Sequence, residues 1–97
     1  MAVPIATIIR FKGDPDDLLE RFDQAQRRWL DTAGAEVERP LFHATCRTDD
    51  GIAIVSAWET AVGHRSFGEG IAPHVAAVGM GRPDRIERMR IDRLGWD

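Results

Sequence analysis

Hydrophobic and polar residues follow two different periods along the chain, and these periods divide its 97 residues into six elements. Residues 4–11 are rich in β-branched and aromatic side chains, which favours a first strand. The stretch 41–59 contains two apolar runs around an acidic Asp-Asp-Gly turn. This pattern predicts a β-hairpin, because Asp and Gly tolerate the positive φ angles of tight turns. Residues 85–94 are expected to form a last strand.

Two helices are expected between these strands. The first is capped by Asp14 and has Pro15 at its first position, and Gly34 is a natural end. Its apolar stripe recurs every three or four residues, at Leu18, Phe22, Ala25 and Trp29. The second is expected to begin near Thr60. Four residues inside it weaken or kink it, namely Gly63, Gly68, Gly70 and Pro73.

The resulting order is β-α-β-β-α-β, which predicts an α+β fold of the ferredoxin-like type. We expect one domain over residues 1–97, with a four-stranded antiparallel sheet and two helices on one face. The opposite face of such a sheet must find another cover. Two copies packed sheet to sheet would supply it, so a homodimer is expected.

The side chains of the hairpin separate into two faces. A turn at Asp50-Gly51 and a turn over Thr48–Gly51 give the same partition, whereas a three-residue turn would reverse it. One face is small and apolar, and we expect it beneath the helices: Phe42, Ala44, Cys46, Ala53, Val55 and Ala57. The other is mixed, and we expect it inside the dimer: Leu41, His43, Thr45, Arg47, Ile52, Ile54, Ser56 and Trp58. By alternation the first strand adds Ile5, Thr7, Ile9 and Phe11 to the mixed face.

Composition excludes several classes of protein. A net charge of −3 is a poor basis for binding phosphate backbones, so no nucleic-acid partner is expected. No apolar run is long enough to cross a bilayer, so no membrane partner is expected. The first residues lack a basic leader, so no secretion signal is expected. Cys46 is the only cysteine, which favours the reducing cytoplasm. Three dispersed histidines give no metal-ligand spacing, so no metal site is expected.

Several stretches together resemble one family over nearly the whole chain. They are IATIIRFKGDPDDLLERFD at 5–23, LFHATCRTDDG at 41–51, VSAWET at 55–60 and IAPHVAAVG at 71–79. The sequence resembles the dimeric α/β-barrel proteins of the antibiotic biosynthesis monooxygenase type. That superfamily includes cofactor-independent oxygenases, isomerases and haem-degrading enzymes, and the resemblance therefore implies a fold more specifically than an activity.

The resemblance also implies roles for particular residues. Trp58 matches a tryptophan that lines the family's ligand cavity at the end of the third strand. The anthrone-oxidising members rely on Asn and Tyr side chains, and this sequence contains neither. The haem-degrading members use a histidine of the second helix, to which either His64 or His74 could correspond.

Physical chemistry indicates which residues of the mixed face could act on a ligand. His43 is the acid–base candidate because imidazole titrates near neutrality, and Trp58 would stack an aromatic molecule. Hydroxyl groups from Thr7, Thr45 and Ser56 would orient an oxygen of the ligand. Three further residues are candidates for ligand binding. Ile54 would offer an apolar surface, Arg47 a positive charge for an anionic group, and His74 a second imidazole.

Three functions remain open from the sequence. The first is a cofactor-independent monooxygenase, or an isomerase or cyclase, that acts on an apolar aromatic or polyketide-like molecule. The second is a dimer that binds a ligand or a partner without catalysis. The third is a protein that binds and degrades haem, and only this reading needs a cofactor.

Overall fold

The computed structural model describes residues 3–33 and 38–94, and it confirms the predicted order of elements. The expected helix end at Gly34 lies outside these residues. The six elements are β1 (Ile5–Lys12), α1 (Pro15–Ala33), β2 (Phe42–Thr48), β3 (Gly51–Trp58), α2 (Ala61–Ala77) and β4 (Arg85–Arg90). They form a four-stranded sheet in the order β2-β3-β1-β4, and every neighbouring pair is antiparallel.

The last strand ends at Arg90, four residues before the predicted end at Leu94. Its partner β1 begins at Ile5, which pairs with Arg90. One further hydrogen bond joins the amide of Ile91 to the carbonyl of Pro4. The ladder therefore stops where its partner strand stops.

Both helices begin at the predicted positions, and a side chain caps each of them. The carboxylate of Asp14 accepts a hydrogen bond from the amide of Asp17 at 3.4 Å. The hydroxyl of Thr60 accepts one from the amide of Gly63 at 3.0 Å, and the backbone of Thr60 is extended. Within the described ranges, neither helix is long and apolar enough to cross a membrane.

The hairpin adopts the register of the longer of the two expected turns. Thr48 pairs with Gly51, so Asp49 and Asp50 form the turn between them. No described residue other than glycine has a positive φ, so this turn does not use the positive φ angles that the sequence suggested for its acidic residues. Gly51 is required for another reason, because a Cβ atom there would overlap the carbonyl oxygen of Phe11 on β1.

The two predicted faces exist, but the prediction of which one lies beneath the helices is wrong. The mixed face packs against α1 and α2, and its largest members are almost fully buried: Ile52, Ile54 and Trp58 are 0%, 2% and 1% exposed. The core joins this face to both helices and contains Phe11, Leu18, Phe22, Ala25, Ile52, Ile54, Trp58, Phe67, Ile71 and Val75. Large side chains are needed there to fill the space between a sheet and the helices above it.

The polar members of the mixed face fit into this core because they satisfy one another. The hydroxyls of Thr7 and Ser56 lie 2.7 Å apart, and the indole N–H of Trp58 donates to the Ser56 hydroxyl at 2.9 Å. Buried polar groups cost little when they are hydrogen-bonded in this way. Neither water nor a partner chain is needed to cover them.

On the opposite side of the sheet no helix is formed by residues 3–33 or 38–94, and we call it the helix-free face. Alternation assigns to it the apolar residues Ala6, Ile8, Phe42, Ala44, Cys46, Ala53, Val55, Ala57 and Met89, together with the charged residues Arg10, Arg85 and Glu87. Phe42 is 54% exposed and Met89 is 44% exposed. Cys46, expected to be buried beneath the helices, is exposed here instead.

Candidate functional site

The space between α2 and the part of the sheet formed by β1 and β4 is not completely filled. It contains a cleft of about 430 Å³, which we call the apolar cleft. This volume lies within the range of small-molecule sites. Most of its wall is hydrophobic and is provided by Ile9, Phe11, Phe22, Ile54, Phe67, Ile71, Val75 and Ile86. The loop before β4 contributes Gly81, Arg82 and Pro83 to its rim.

A second cleft of about 330 Å³ adjoins the first, and we call it the polar cleft. It lies beside the first half of α2. Its wall contains several charged or titratable side chains and consists of Ile5, Ala61, His64, Arg65, Gly68, Glu69 and Arg88. Three residues line both clefts, namely His64, Gly68 and Arg88. The two clefts are therefore neighbours along one surface of α2.

His64 is the buried polar residue of this region. Its position in α2 continues the apolar stripe of Phe67, Ile71 and Val75, so the imidazole points toward the sheet, and only 6% of the residue is exposed. Its Nε2 atom has no hydrogen-bond partner among the described residues. Burial lowers the pKa of His64, and the positive charge of Arg88 lowers it further. The imidazole is therefore mostly neutral at pH 7 and can accept a proton.

Arg88 comes from the edge strand β4, where it pairs with Thr7 of β1. That register places it on the helix-covered face of the sheet. The residue is exposed and makes no ion pair with any other described side chain. Its guanidinium group is available to a negatively charged group in either cleft.

His43, the acid–base candidate predicted from the sequence, lies elsewhere in the core. Its ring stacks on Phe22 of α1 at a centroid distance of 6.3 Å and meets the edge of Phe67 of α2 at 6.1 Å. Burial lowers the pKa of His43, and its Nε2 atom has no partner in the described part of the chain. Neither of the two clefts is lined by this residue.

Trp58 is packed behind the clefts. Its indole contacts the rings of His64 and Phe67 at centroid distances of 6.0 Å and 5.3 Å. The hydroxyls of Thr7 and Ser56, proposed to orient a ligand, are bonded to each other and to this indole. The structure thus brings Thr7, Ser56 and Trp58 together, but these residues lie behind the walls of the two clefts and do not line them.

The remaining predicted residues are dispersed. Ile54 lines the apolar cleft. Thr45 is half-buried opposite it on β2. Arg47 forms an exposed ion pair with Asp16 of α1, and His74 is half-buried on α2 and lines neither cleft. As functional residues, all of these stay predictions.

Sequence reasoning missed Arg88 and gave His64 little weight. The helical pattern already in use contains a signal for His64, whereas Arg88 can be placed only when the register of β4 against β1 is known. Carrying the alternation of β1 across to β4 places residues 86 and 88 on the mixed face. The helical spacing that selects Phe67 and Ile71 also selects His64 three residues earlier.

Comparisons with known proteins establish the fold. No family profile matches the chain, and no curated protein is similar to it in sequence. Solved structures, unlike family profiles and curated sequences, match over nearly the full length.

The structure itself gives no sign of a metal site. Among the described residues, no three His, Cys, Asp or Glu side chains are grouped to hold a metal ion.

Three of the matching solved structures are representative. The cofactor-independent oxygenase SnoaB from Streptomyces nogalater is 17% identical, with a TM-score of 0.62 over 98% of this chain and 97% of its own. The monooxygenase from the gene ActVA-Orf6 of Streptomyces coelicolor, solved with nanaomycin D, is 15% identical, with a TM-score of 0.63 over 99% and 93%. The NE2512 protein of unknown function from Nitrosomonas europaea is 15% identical, with a TM-score of 0.67 over 98% and 95%.

These likenesses define the class of fold. The chain has the ferredoxin-like βαββαβ fold of the antibiotic biosynthesis monooxygenase-like proteins. At these identities the similarity concerns the fold, and the activity has to be argued from the clefts.

Proposed function

We propose that this protein binds an apolar, aromatic or polyketide-like molecule in the apolar cleft and oxidises it with molecular oxygen, without a cofactor. One observation carries the proposal: a buried, neutral histidine with an unpartnered nitrogen borders a hydrophobic cleft of about 430 Å³. A general base in an otherwise apolar site is the arrangement that proton abstraction requires.

The proposed reaction begins with proton transfer to His64. The proton comes from an acidic C–H or phenolic O–H group of the substrate, and Arg88 stabilises the anion that remains. The electron-rich anion then reduces oxygen directly. A CH₂ group becomes a carbonyl group, one atom of O₂ enters the product, and the other leaves as water.

The proposal moves the acid–base role from His43 to His64, because His64 borders both clefts. Trp58 becomes a positioning residue that packs against the His64 ring instead of stacking the substrate. The absence of Asn and Tyr does not affect this scheme, because it uses an imidazole and a guanidinium group. An isomerase or cyclase would use the same proton transfer without consuming oxygen.

Haem binding is the second candidate, and the same histidine favours it. An axial ligand needs an unpartnered imidazole nitrogen beside open space, and His64 meets this condition. Arg65 and Arg88 would face the haem carboxylates. When bound, haem would supply an iron centre that activates oxygen. Addition of hemin separates the two candidates: a Soret shift that is lost in His64→Gln supports haem, and an unshifted spectrum excludes it.

We also infer that the functional unit is a homodimer closed through the helix-free face. The exposure of Phe42 and Met89 beside a row of small apolar side chains supports this inference, because such a patch is unusual on a monomer. A second copy would bury it through an isologous contact. The exposed Cys46 is compatible with a cytoplasmic setting, where thiols stay reduced.

Oxygen uptake with a panel of hydroxylated aromatic and polyketide-like molecules tests the proposed oxidation. We expect His64→Gln to lower any detected rate by about 100-fold or more, the usual contribution of a general base. His74→Gln is the matched control, because His74 lies on the same helix and lines neither cleft. Equal losses in both variants, or none in His64→Gln, would remove the assignment. Product formation without oxygen uptake would identify the isomerase or cyclase.

A further inference from the structure

We infer that the ligand is an organic anion whose apolar body occupies the apolar cleft and whose acidic group occupies the polar cleft, where Arg88 and Arg65 hold it. The inference rests on the proposed function and deepens it by naming the class of ligand. It depends on the charges of the side chains that line the two clefts and on the absence of ion pairs for Arg65 and Arg88 among the described residues. It also depends on His64 and Gly68, which lie at the junction of the clefts.

The clefts have a charge opposite to that of the chain. The whole protein carries a net charge of −3. Among the residues that line the two clefts, three are arginines, Arg65, Arg82 and Arg88, and Glu69 is the single acidic residue. A local excess of positive charge on an acidic protein attracts anions to that surface.

The arginines of the clefts are not neutralised by an ion pair with any described side chain. The five ion pairs within the described ranges use Lys12, Arg21, Arg27, Arg47 and Arg85. None of these pairs includes Arg65 or Arg88. Glu69 shares the polar cleft with both, yet it lies beyond ion-pair distance from either. Two guanidinium groups in one cleft therefore keep their capacity to bind a carboxylate or sulfonate.

His64 places a further polar group at the junction of the clefts. Its unpartnered Nε2 atom is buried, and the residue borders both spaces. A buried polar atom without a partner is costly unless a ligand satisfies it. An acidic molecule that spans the junction would bring an oxygen within reach of this nitrogen.

Gly68 keeps the junction open. It lines both clefts from the middle of α2, and a Cβ atom there would meet nothing within 4 Å. Glycine destabilises a helix interior relative to alanine. Since no neighbouring side chain requires the glycine, what it provides is open space between the two clefts.

Two fluorescent probes test the inference. Anilinonaphthalene sulfonate is an apolar anion, and phenylnaphthylamine has the same aromatic body without the sulfonate. Both are titrated against the wild-type chain, Arg88→Met and Gly68→Leu. Arg90→Met is the control, because Arg90 lies two residues away on the same face of β4 and lines neither cleft. Unfolding midpoints are measured for every variant, and Gly68→Met, with its unbranched and flexible side chain, replaces Gly68→Leu if the leucine prevents folding.

We expect the wild-type chain to prefer the sulfonate. Arg88→Met should weaken binding of the sulfonate by roughly five- to tenfold, as expected for loss of one partly shielded charged contact, and leave the neutral probe unchanged. Arg90→Met should change neither. Gly68→Leu should weaken both probes, because the leucine occupies the junction.

The remaining outcomes overturn the inference in distinguishable ways. If the wild-type chain binds the two probes equally, the anionic class is wrong while the apolar cleft remains a binding site. If Arg88→Met leaves the affinity for the sulfonate unchanged, the acidic group does not occupy the polar cleft beside Arg88. If both probes bind Gly68→Leu as tightly as the wild-type chain, or if neither binds at all, the clefts are not the ligand site. The proposed function then fails together with the inference.

Discussion

The indole nitrogen of Trp58 lies 2.9 Å from the hydroxyl oxygen of Ser56, two residues earlier on β3, and donates a hydrogen bond to it. Indole can only donate, so the Ser56 oxygen is the acceptor, and it forms a second hydrogen bond with the Thr7 hydroxyl at 2.7 Å. Three polar groups of the core thereby satisfy one another. The same indole supports the ring of His64 at the wall of the clefts.

Ser56→Ala is expected to destabilise the protein by about 1–3 kcal/mol, because it leaves the buried Trp58 N–H and Thr7 hydroxyl without a partner. For a domain of this size, each kcal/mol corresponds to a fall of about 4–8 °C in the unfolding midpoint. Thermal unfolding followed by circular dichroism measures the change. Thr45→Ala on the neighbouring strand is the control, since no side-chain hydrogen bond to Thr45 occurs among the described residues. Equal shifts in the two variants would contradict the role of the network.

Stability should decrease as the pH falls below the ordinary imidazole range. Burial lowers the pKa values of both His43 and His64. The unfolded chain therefore binds protons at a pH where the folded chain does not, and protonation favours unfolding. The stabilising effect of the neutral imidazoles is complete above the unfolded pKa of 6.5 and is lost as the pH falls from there toward the lowered folded values.

Unfolding midpoints between pH 8 and pH 5 measure this loss, at roughly half-unit steps that sample each titration. We expect His64→Gln and His43→Gln each to flatten the profile relative to the wild-type chain. His74→Gln is measured in parallel as a substitution on α2 away from both clefts. Carboxylates titrate in the same way in every variant. The contribution of each histidine is therefore measured by the difference between the pH profile of its variant and that of the wild-type chain. Superimposable profiles for wild type and His64→Gln would show that burial does not shift this histidine.

Two glycines should respond in opposite ways to replacement by alanine. Gly51→Ala should destabilise the protein by about 1–3 kcal/mol, because the new Cβ atom overlaps the carbonyl oxygen of Phe11 and the strands must separate. Gly68→Ala should stabilise α2 by up to about 1 kcal/mol, because the site is open and alanine favours the helix. Chemical denaturation of both variants measures the two effects. Destabilisation by Gly68→Ala would mean that the junction between the clefts is already filled.

The proposed dimer predicts that a charge on the helix-free face will separate the subunits. Light scattering should report twice the 10.9 kDa mass of the chain for the wild type. Phe42→Asp should shift the equilibrium toward the monomer, because the carboxylate would be buried against the partner's apolar face. Val62→Asp, at another exposed apolar residue on α2, should leave the mass unchanged. A wild-type mass of 10.9 kDa would exclude the dimer.

The sequence by itself determined the order of the elements, the cap of the first helix, the approximate start of the second and the membership of each sheet face. These features depend on local preferences. Asp14 and Thr60 cap helices through amides only three residues away, and alternation places His43 and Trp58 on one face whatever covers it.

Only the tertiary structure decided which face the helices cover. Alternation gives two sets of residues without saying which one lies beneath a helix, because that choice depends on how the crossovers carry α1 and α2 over the sheet. Side-chain polarity indicated the wrong set, because polar residues were not expected beneath the helices. The hydrogen bonds among Thr7, Ser56 and Trp58, which allow these residues to be buried there, cannot be read from the sequence.

The clefts were likewise decided by packing between distant segments. Arg88 meets His64 because β4 pairs with β1 beneath α2, and the two residues are separated by most of a helix and a loop. No local pattern encodes such a meeting, because it results from the sheet register and from a gap that the helix leaves above it. The sequence determines that an imidazole and a guanidinium group are present, and the tertiary structure places both of them in the walls of the same clefts.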